Sequence, residues 1–201
     1  MKKILTSIIL TLTVCSLLFA QRPEIIDDMG AVTGAKQPRW LPYVSEASRI
    51  KEELYPNKVP FVYEIQGKDL RYLKRQANST GAAADYARTM STAVRATAAE
   101  MAEGYDEQIV STQFAELVET AARAKFSGFK KEGEWWVLRK FADGREEYSY
   151  YVLYLIDEVL FNKNIGLMAD DLSSKIGNDL SSIIKDNADN ITETFMDTVV
   201  E

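Results

Sequence analysis

Carboxylates are the most plentiful titratable side chains in this 201-residue chain, with 30 Asp and Glu against 24 Lys and Arg. They occur as adjacent pairs at Asp27-Asp28, Glu52-Glu53, Glu146-Glu147 and Asp170-Asp171. A glycoside hydrolase needs two carboxyls facing one cleft with separated pKa values. Neighbours on a strand point to opposite faces, so adjacency alone does not build such a pair. The chain contains no histidine, and its single cysteine is Cys15. Ser-His-Asp and Cys-His nucleophile systems, histidine-held haem and His/Cys zinc sites are thereby excluded. Gly67 and Gly81 stand alone rather than in a phosphate-cradling loop. The Asp and Asn residues between Asn178 and Asn190 lack the spacing of a calcium loop. A net charge of -6 and a pI near 4.9 argue against nucleic acid as a partner. The expectation is a protein without catalytic residues, cofactor or metal.

Aromatic residues offer a different chemistry. Trp135, Trp136, Tyr148, Tyr150, Tyr151 and Tyr154 fall on two neighbouring predicted strands, with Trp40 a further candidate beside them. Rings with polar tips serve both interfaces and cores. Trp135 and Trp136 must point to opposite faces, so one is expected in the core and the other at an interface. The interaction candidates are Trp40, Trp135, Trp136, Tyr148, Tyr150 and Tyr154, joined by Ile176, Leu180 and Ile184 from an apolar helical stripe. Arg88 and Arg95 are expected on a solvated face.

The elements that position these residues can be read along the chain. Met1 to Ala20 has two lysines, an apolar run and a terminal Ala, the pattern of a secretory signal peptide cut after Ala20. Leu12-Thr13-Val14-Cys15 loosely matches a lipoprotein-processing motif, which makes a lipidated Cys15 the second option. Residues 21–37 read as a flexible lead-in. Pro38 and Pro42 hold the chain extended around Trp40, and Ser45 caps a short helix to Leu54 that Pro56 ends. Val59 to Gln66 reads as a strand. Lys68 to Gly104 reads as a long helix with a small-sided stripe of Ala83, Ala87, Met90, Val94, Ala98 and Met101, interruptible at Asn78 to Gly81. Tyr105 to Lys125 is a second helix. Phe126 to Lys131, Glu134 to Phe141 and Arg145 to Ile156 then alternate as strands, with turns at Glu132-Gly133 and Asp143-Gly144. Both faces of the last strand are apolar or aromatic, so helices are expected on one face and a different cover, a partner among the options, on the other. Asp157 to Glu201 is helical, with Leu172, Ile176, Leu180, Ile183, Ile184, Ile191, Phe195 and Val199 in its stripe. Docking on the domain's own sheet is favoured over a protruding helix. The expected architecture is α+β: residues 38–157 pack a long helix on a three- to four-stranded antiparallel sheet, and residues 158–201 form a C-terminal helical extension.

The order of Pro38-Arg39-Trp40, the strand ending Tyr63-Glu64-Ile65-Gln66-Gly67, the helix with Arg95 to Ala102 and the hairpin strand Tyr148 to Asp157 resembles a known family. It is similar to the small bacterial envelope lipoproteins of the Lpp-twenty type, which include the flagellar outer-membrane protein FlgP. The resemblance implies an α+β unit serving envelope or motility assembly rather than catalysis. Cys15 matches the family's lipid-bearing cysteine only loosely, and residues 158–201 exceed the family core. The expectation is therefore a non-catalytic exported protein of the periplasm or inner face of the outer membrane. It would support an envelope complex through partner proteins and homo-oligomer contacts. Membrane association would come through a partner or through Cys15. The alternative is a periplasmic ligand- or cell-wall-binding module with a cleft near Trp40 and Trp135, and a carboxylate hydrolase is the third reading.

Overall fold

Tyr148 to Ile156 alternate between two apolar faces, and a strand of that kind needs cover on both sides. In the computed structural model, which describes residues 23–78 and 80–198, it lies inside a four-stranded antiparallel sheet. The strands are β1 (Glu24–Asp28), β2 (Lys58–Gly67), β3 (Lys130–Lys140) and β4 (Glu146–Asp157), in the order β1-β3-β4-β2. β4 pairs along its length with β2 on one side and β3 on the other. The β3–β4 hairpin turns at Asp143-Gly144, where Gly144 takes a φ of 82° and Asp143 accepts a hydrogen bond from the Arg145 N–H.

Nine helices are present among the described residues: α1 (Met29–Thr33), α2 (Ala47–Leu54), α3 (Leu70–Ala77), α4 (Gly81–Met101), α5 (Asp106–Ile109), α6 (Thr112–Lys125), α7 (Glu158–Ile176), α8 (Asn178–Asp186) and α9 (Ala188–Thr198). The fold is α+β. None of these helices is long and apolar enough to cross a membrane. The signal-peptide reading, Cys15 and Val199 lie outside the described residues.

Several expected boundaries need correction. The segment read as a flexible lead-in supplies β1, the edge strand paired with β3. Five residues are too few to show a period, and the pairing that orders them joins Asp28 to Val137, far along the chain. Phe126–Gly128 is a 3-10 turn rather than a strand, and Glu132-Gly133 is no turn. Instead β3 runs through that point with a shift of register between Lys131 and Gly133. The long helical stretch does divide near the interruption expected at Asn78 to Gly81, into helices that end at Ala77 and restart at Gly81. Gly81 is required at the restart: a Cβ there would stand 2.7 Å from the Tyr63 hydroxyl and 2.9 Å from the Gln76 carbonyl oxygen. Glu46, not Ser45, occupies the N-cap position of α2, and it makes no side-chain cap bond.

The main core lies between one face of the sheet and the helices. Ala82, Ala87, Ala93 and Ala98 of α4 are buried there, and their small size lets the helix backbone approach its neighbours. Met101, placed on the stripe from sequence, is instead exposed. Phe61 of β2 lies edge-on to Tyr86 at 5.9 Å and 6.1 Å from Phe195 of α9, and Phe161 of α7 meets Phe195 at 5.1 Å. Residues 158–201 are thus docked as far as they are described, with Leu172, Leu180, Ile191 and Phe195 all buried in this core. Gly177, with a φ of 87°, breaks α7 from α8 so the chain can fold back. Removing a fully buried aromatic costs about 3–5 kcal/mol. Phe195→Ala is accordingly expected to lower the urea-unfolding free energy by about that amount, whereas a protruding α9 would make the change nearly silent.

Candidate functional site

Trp135 and Trp136 do point to opposite faces, and both are buried. Trp136 joins the helix-covered core, with Tyr148 edge-on at 5.5 Å. Trp135 joins a second, smaller core on the other face with Trp40, Ile50, Val62, Val137, Tyr151, Leu153 and Leu155. The cover on that face is the chain itself: Leu41, Tyr43, Val44, Leu54 and Tyr55 pack against this cluster. An exposed interface on one tryptophan is therefore corrected to two buried cores. Trp40, Trp135, Trp136, Tyr150 and Tyr154 are all buried, and Tyr148 is half-buried. Ile176, Leu180 and Ile184 are buried in the main core, so no part of the expected self-association stripe is free at these positions. Arg88 is exposed and pairs with Asp85 at 3.0 Å. Arg95 is corrected from a solvated residue to a half-buried one. It donates from Nε to the Ile109 carbonyl at 3.1 Å, satisfying the C-terminal end of α5.

A groove of 480 Å³ opens where the cover of the second core meets β3. Its lining comes from three segments: Lys36, Pro38, Arg39 and Trp40; Leu54 and Tyr55; and Glu132, Gly133 and Glu134. The local sequence builds each wall. The Pro38 carbonyl accepts from the Leu41 N–H and the Trp40 carbonyl from the Tyr43 N–H, giving a tight 3-10 turn that fixes Trp40. Tyr55 ends α2, its N–H bonded back to the Ile50 and Lys51 carbonyls. The register shift in β3 falls at Lys131 to Gly133, beside Trp40: a Cβ on Gly133 would lie 3.4 Å from Trp40 Nε1.

Trp40 is only 4% exposed, yet no described group accepts a hydrogen bond from its indole N–H. Since no fully buried side-chain nitrogen or oxygen among the described residues lacks a partner, this N–H reaches solvent in the groove. Neither Lys36 nor Arg39 forms an ion pair with a described residue. The Glu53 carboxylate, within electrostatic range of Arg39, is hydrogen-bonded by Arg49 at 3.1 Å instead. The Tyr55 hydroxyl donates to Glu132 at 3.2 Å. Burial and the neighbouring Glu132 raise the Tyr55 pKa, which keeps that hydroxyl a donor.

Glu134 is the more tightly held carboxylate. It accepts from the Tyr150 hydroxyl at 2.6 Å and is ion-paired to Lys131. Burial alone would raise its pKa, but the hydrogen bonds from Lys131 and Tyr150, with the charges of Lys131 and Lys74, more than reverse this. A hydrolytic acid must stay protonated near neutrality. Glu134 is pulled the opposite way. Burial does raise Asp85, but that residue pairs with Arg88 on α4 and does not line the groove. Among the described residues no cluster of acidic, histidine or cysteine side chains has the geometry to hold a metal.

The chain matches no family model, no curated protein and no solved structure. The likeness of residues 38–157 to envelope lipoproteins thus rests on the sequence motifs alone.

Two signals for this site were legible in the sequence, Trp40 between its prolines and the nearby β3 tryptophans. Glu132 and Glu134 had none, because they reach the groove where the register of β3 shifts, and Arg39 enters it only through its place beside Trp40. For Glu134 the stability consequence has a definite sign. Its folded pKa lies below the ordinary 4.5, so its contribution is complete above 4.5 and disappears as pH falls through the lowered value. In urea unfolding, wild type is expected to exceed Glu134→Gln in stability at pH 7. The gap should close as pH drops below 4.5. A gap that widens on acidification would contradict this assignment.

Proposed function

We propose that the chain is a non-catalytic exported module of the cell envelope that binds its ligand in the groove beside Trp40. The observation that carries this reading is the indole N–H of a buried tryptophan left open to solvent, flanked by two cations without ion-pair partners among the described residues. Structural cores satisfy their polar groups internally. A donor held by packing and left open at a groove, with those two unpaired cations beside it, fits recognition better than packing. The groove volume falls in the range of small-molecule sites, roughly 300–1,000 Å³. The pattern of Met1 to Ala20 supports export, and the absence of histidine and of cysteine beyond Cys15 supports a non-catalytic role.

Assembly with an envelope partner is the second reading. It loses the residues first assigned to it, since eight of the nine candidates are buried in the chain's own cores. One observation still favours it: Val159, Leu160 and Leu167 of α7 are exposed, Val159 at 79%, with Leu160 and Leu167 two turns apart on one helix face.

Light scattering and thermal unfolding of residues 21–201 separate the two. The binding module is expected to be a monomer at every concentration and to melt at a higher temperature with soluble cell-wall fragments. A concentration-dependent oligomer that Leu160→Ser with Leu167→Ser dissolves, with no thermal shift, would replace this reading with assembly.

A further inference from the structure

We infer that the groove takes the carboxylate of a small ligand, with Arg39 as its charged contact and the Trp40 indole N–H as a neutral donor. This rests on the binding-module reading and adds the chemical class of the ligand.

The charge inventory favours an anion. Two acidic residues line the groove, but the Glu134 carboxylate is ion-paired to Lys131 and hydrogen-bonded by Tyr150 of the main core. Glu132 accepts only the Tyr55 hydroxyl among the described groups. Against that single open carboxylate stand Lys36 and Arg39, neither ion-paired within the described residues. A locally cationic rim is unusual in a chain of net charge -6. Arginine offers a planar fork of donors that fits a carboxylate with two parallel hydrogen bonds.

The indole N–H adds direction. It is a donor that cannot accept, it belongs to a side chain nine-tenths buried and held by packing, and it lies beside Gly133. With a side chain at position 133, a Cβ would stand 3.4 Å from that nitrogen and shield it. The φ of Gly133 is not positive, so the backbone does not demand glycine there. The missing side chain leaves access to the donor.

Pro38, Leu54 and Tyr55 give the ligand body an apolar surface. Glu132 can accept from a hydroxyl or amine of the same ligand. The same residue disfavours a phosphate, whose second negative charge would face it across the groove. Two exported-compartment sources carry a suitable carboxylate: an acidic sugar and the C-terminal end of a short peptide.

Calorimetry on residues 21–201 tests this with N-acetylmuramic acid and D-alanyl-D-alanine as probes. N-acetylglucosamine and the dipeptide amide are their counterparts without the carboxylate, and inorganic phosphate is a third arm. At least one carboxylate probe is expected to bind, its counterpart about tenfold more weakly, and raised salt should reduce the difference. Which probe binds identifies the source. Arg39→Ala should cost about tenfold in affinity, as expected for a charged hydrogen bond. Arg39 is exposed, so its loss leaves the fold intact. Gly133→Ala should weaken the same probe while leaving the circular dichroism unchanged. Equal binding of carboxylates and their counterparts, unaffected by Arg39→Ala, would overturn the carboxylate assignment and leave the binding module standing. Tighter binding of phosphate would overturn it likewise. No binding by any probe overturns the assignment too, and the thermal shift with unfractionated fragments then decides separately whether a binding module remains.

Discussion

Everything in this molecule depends on β4 being buried on both faces. Tyr150, Val152, Tyr154 and Ile156 face the helices, and Tyr151, Leu153 and Leu155 face the other way. A strand without a solvent side cannot be left on an open sheet, because each exposed aromatic forfeits about 1.5–3 kcal/mol of burial. The chain meets this with two unlike covers. Seven helices, α3 to α9, account for the large layer, and the short stretch from Trp40 to Tyr55, a 3-10 turn followed by α2, accounts for the small one. The tyrosine hydroxyls are then the difficulty, since a buried hydroxyl without a partner is costly. Each key one is met: Tyr150 donates to Glu134, Tyr154 donates to the Ala77 carbonyl, and Tyr151 accepts from Arg139 at 2.8 Å. Burial raises the pKa of all three, so they remain neutral donors or acceptors across the working pH range.

Periodicity made much of this readable. The alternation of Tyr148 to Ile156, the Asp143-Gly144 turn and the stripe of Leu172 to Phe195 are local signals; the first two correspond to β4 and its hairpin, and the stripe is divided among α7, α8 and α9. What periodicity does not contain is which apolar face meets which. That one of Trp135 and Trp136 faces away from the helices was legible, but not which, and the partners of Trp135, Trp40 and Ile50, are far away in sequence. An aromatic face with no visible cover therefore looked like an interface. The same blindness hid β1, whose five residues form a strand only because β3 offers an edge. Ile176, Leu180 and Ile184 illustrate a third form. Their spacing is that of any buried helix face, and spacing alone does not distinguish a partner's core from the chain's own.

The groove is a by-product of joining a regular sheet to an irregular cover. From Trp135 to Leu138 the side chains of β3 alternate between the two cores. At Lys131 to Gly133 the register slips, and the strand there presents Glu132 and a bare glycine backbone beside Trp40. A bulge that merely ended the pairing would need no glycine and no nearby donor. Here the irregular strand, the proline-bounded turn that fixes Trp40 and the end of α2 converge on one opening. Such convergence of elements on an open donor is what the proposed recognition role would require.

The two cores are also coupled through this opening. Glu134 lines the groove, yet its carboxylate accepts from Tyr150, whose ring is in the main core, while Trp40 roofs the second core and presents its N–H to the groove. The groove is therefore braced from both layers rather than carried on a loose loop. Bracing of this kind lowers the entropy a ligand must remove on binding. In the proposed reading the packed Trp40 supplies the one donor whose direction is set before a ligand arrives, while the exposed Lys36 and Arg39 supply charge in a chain whose overall charge would repel an anion.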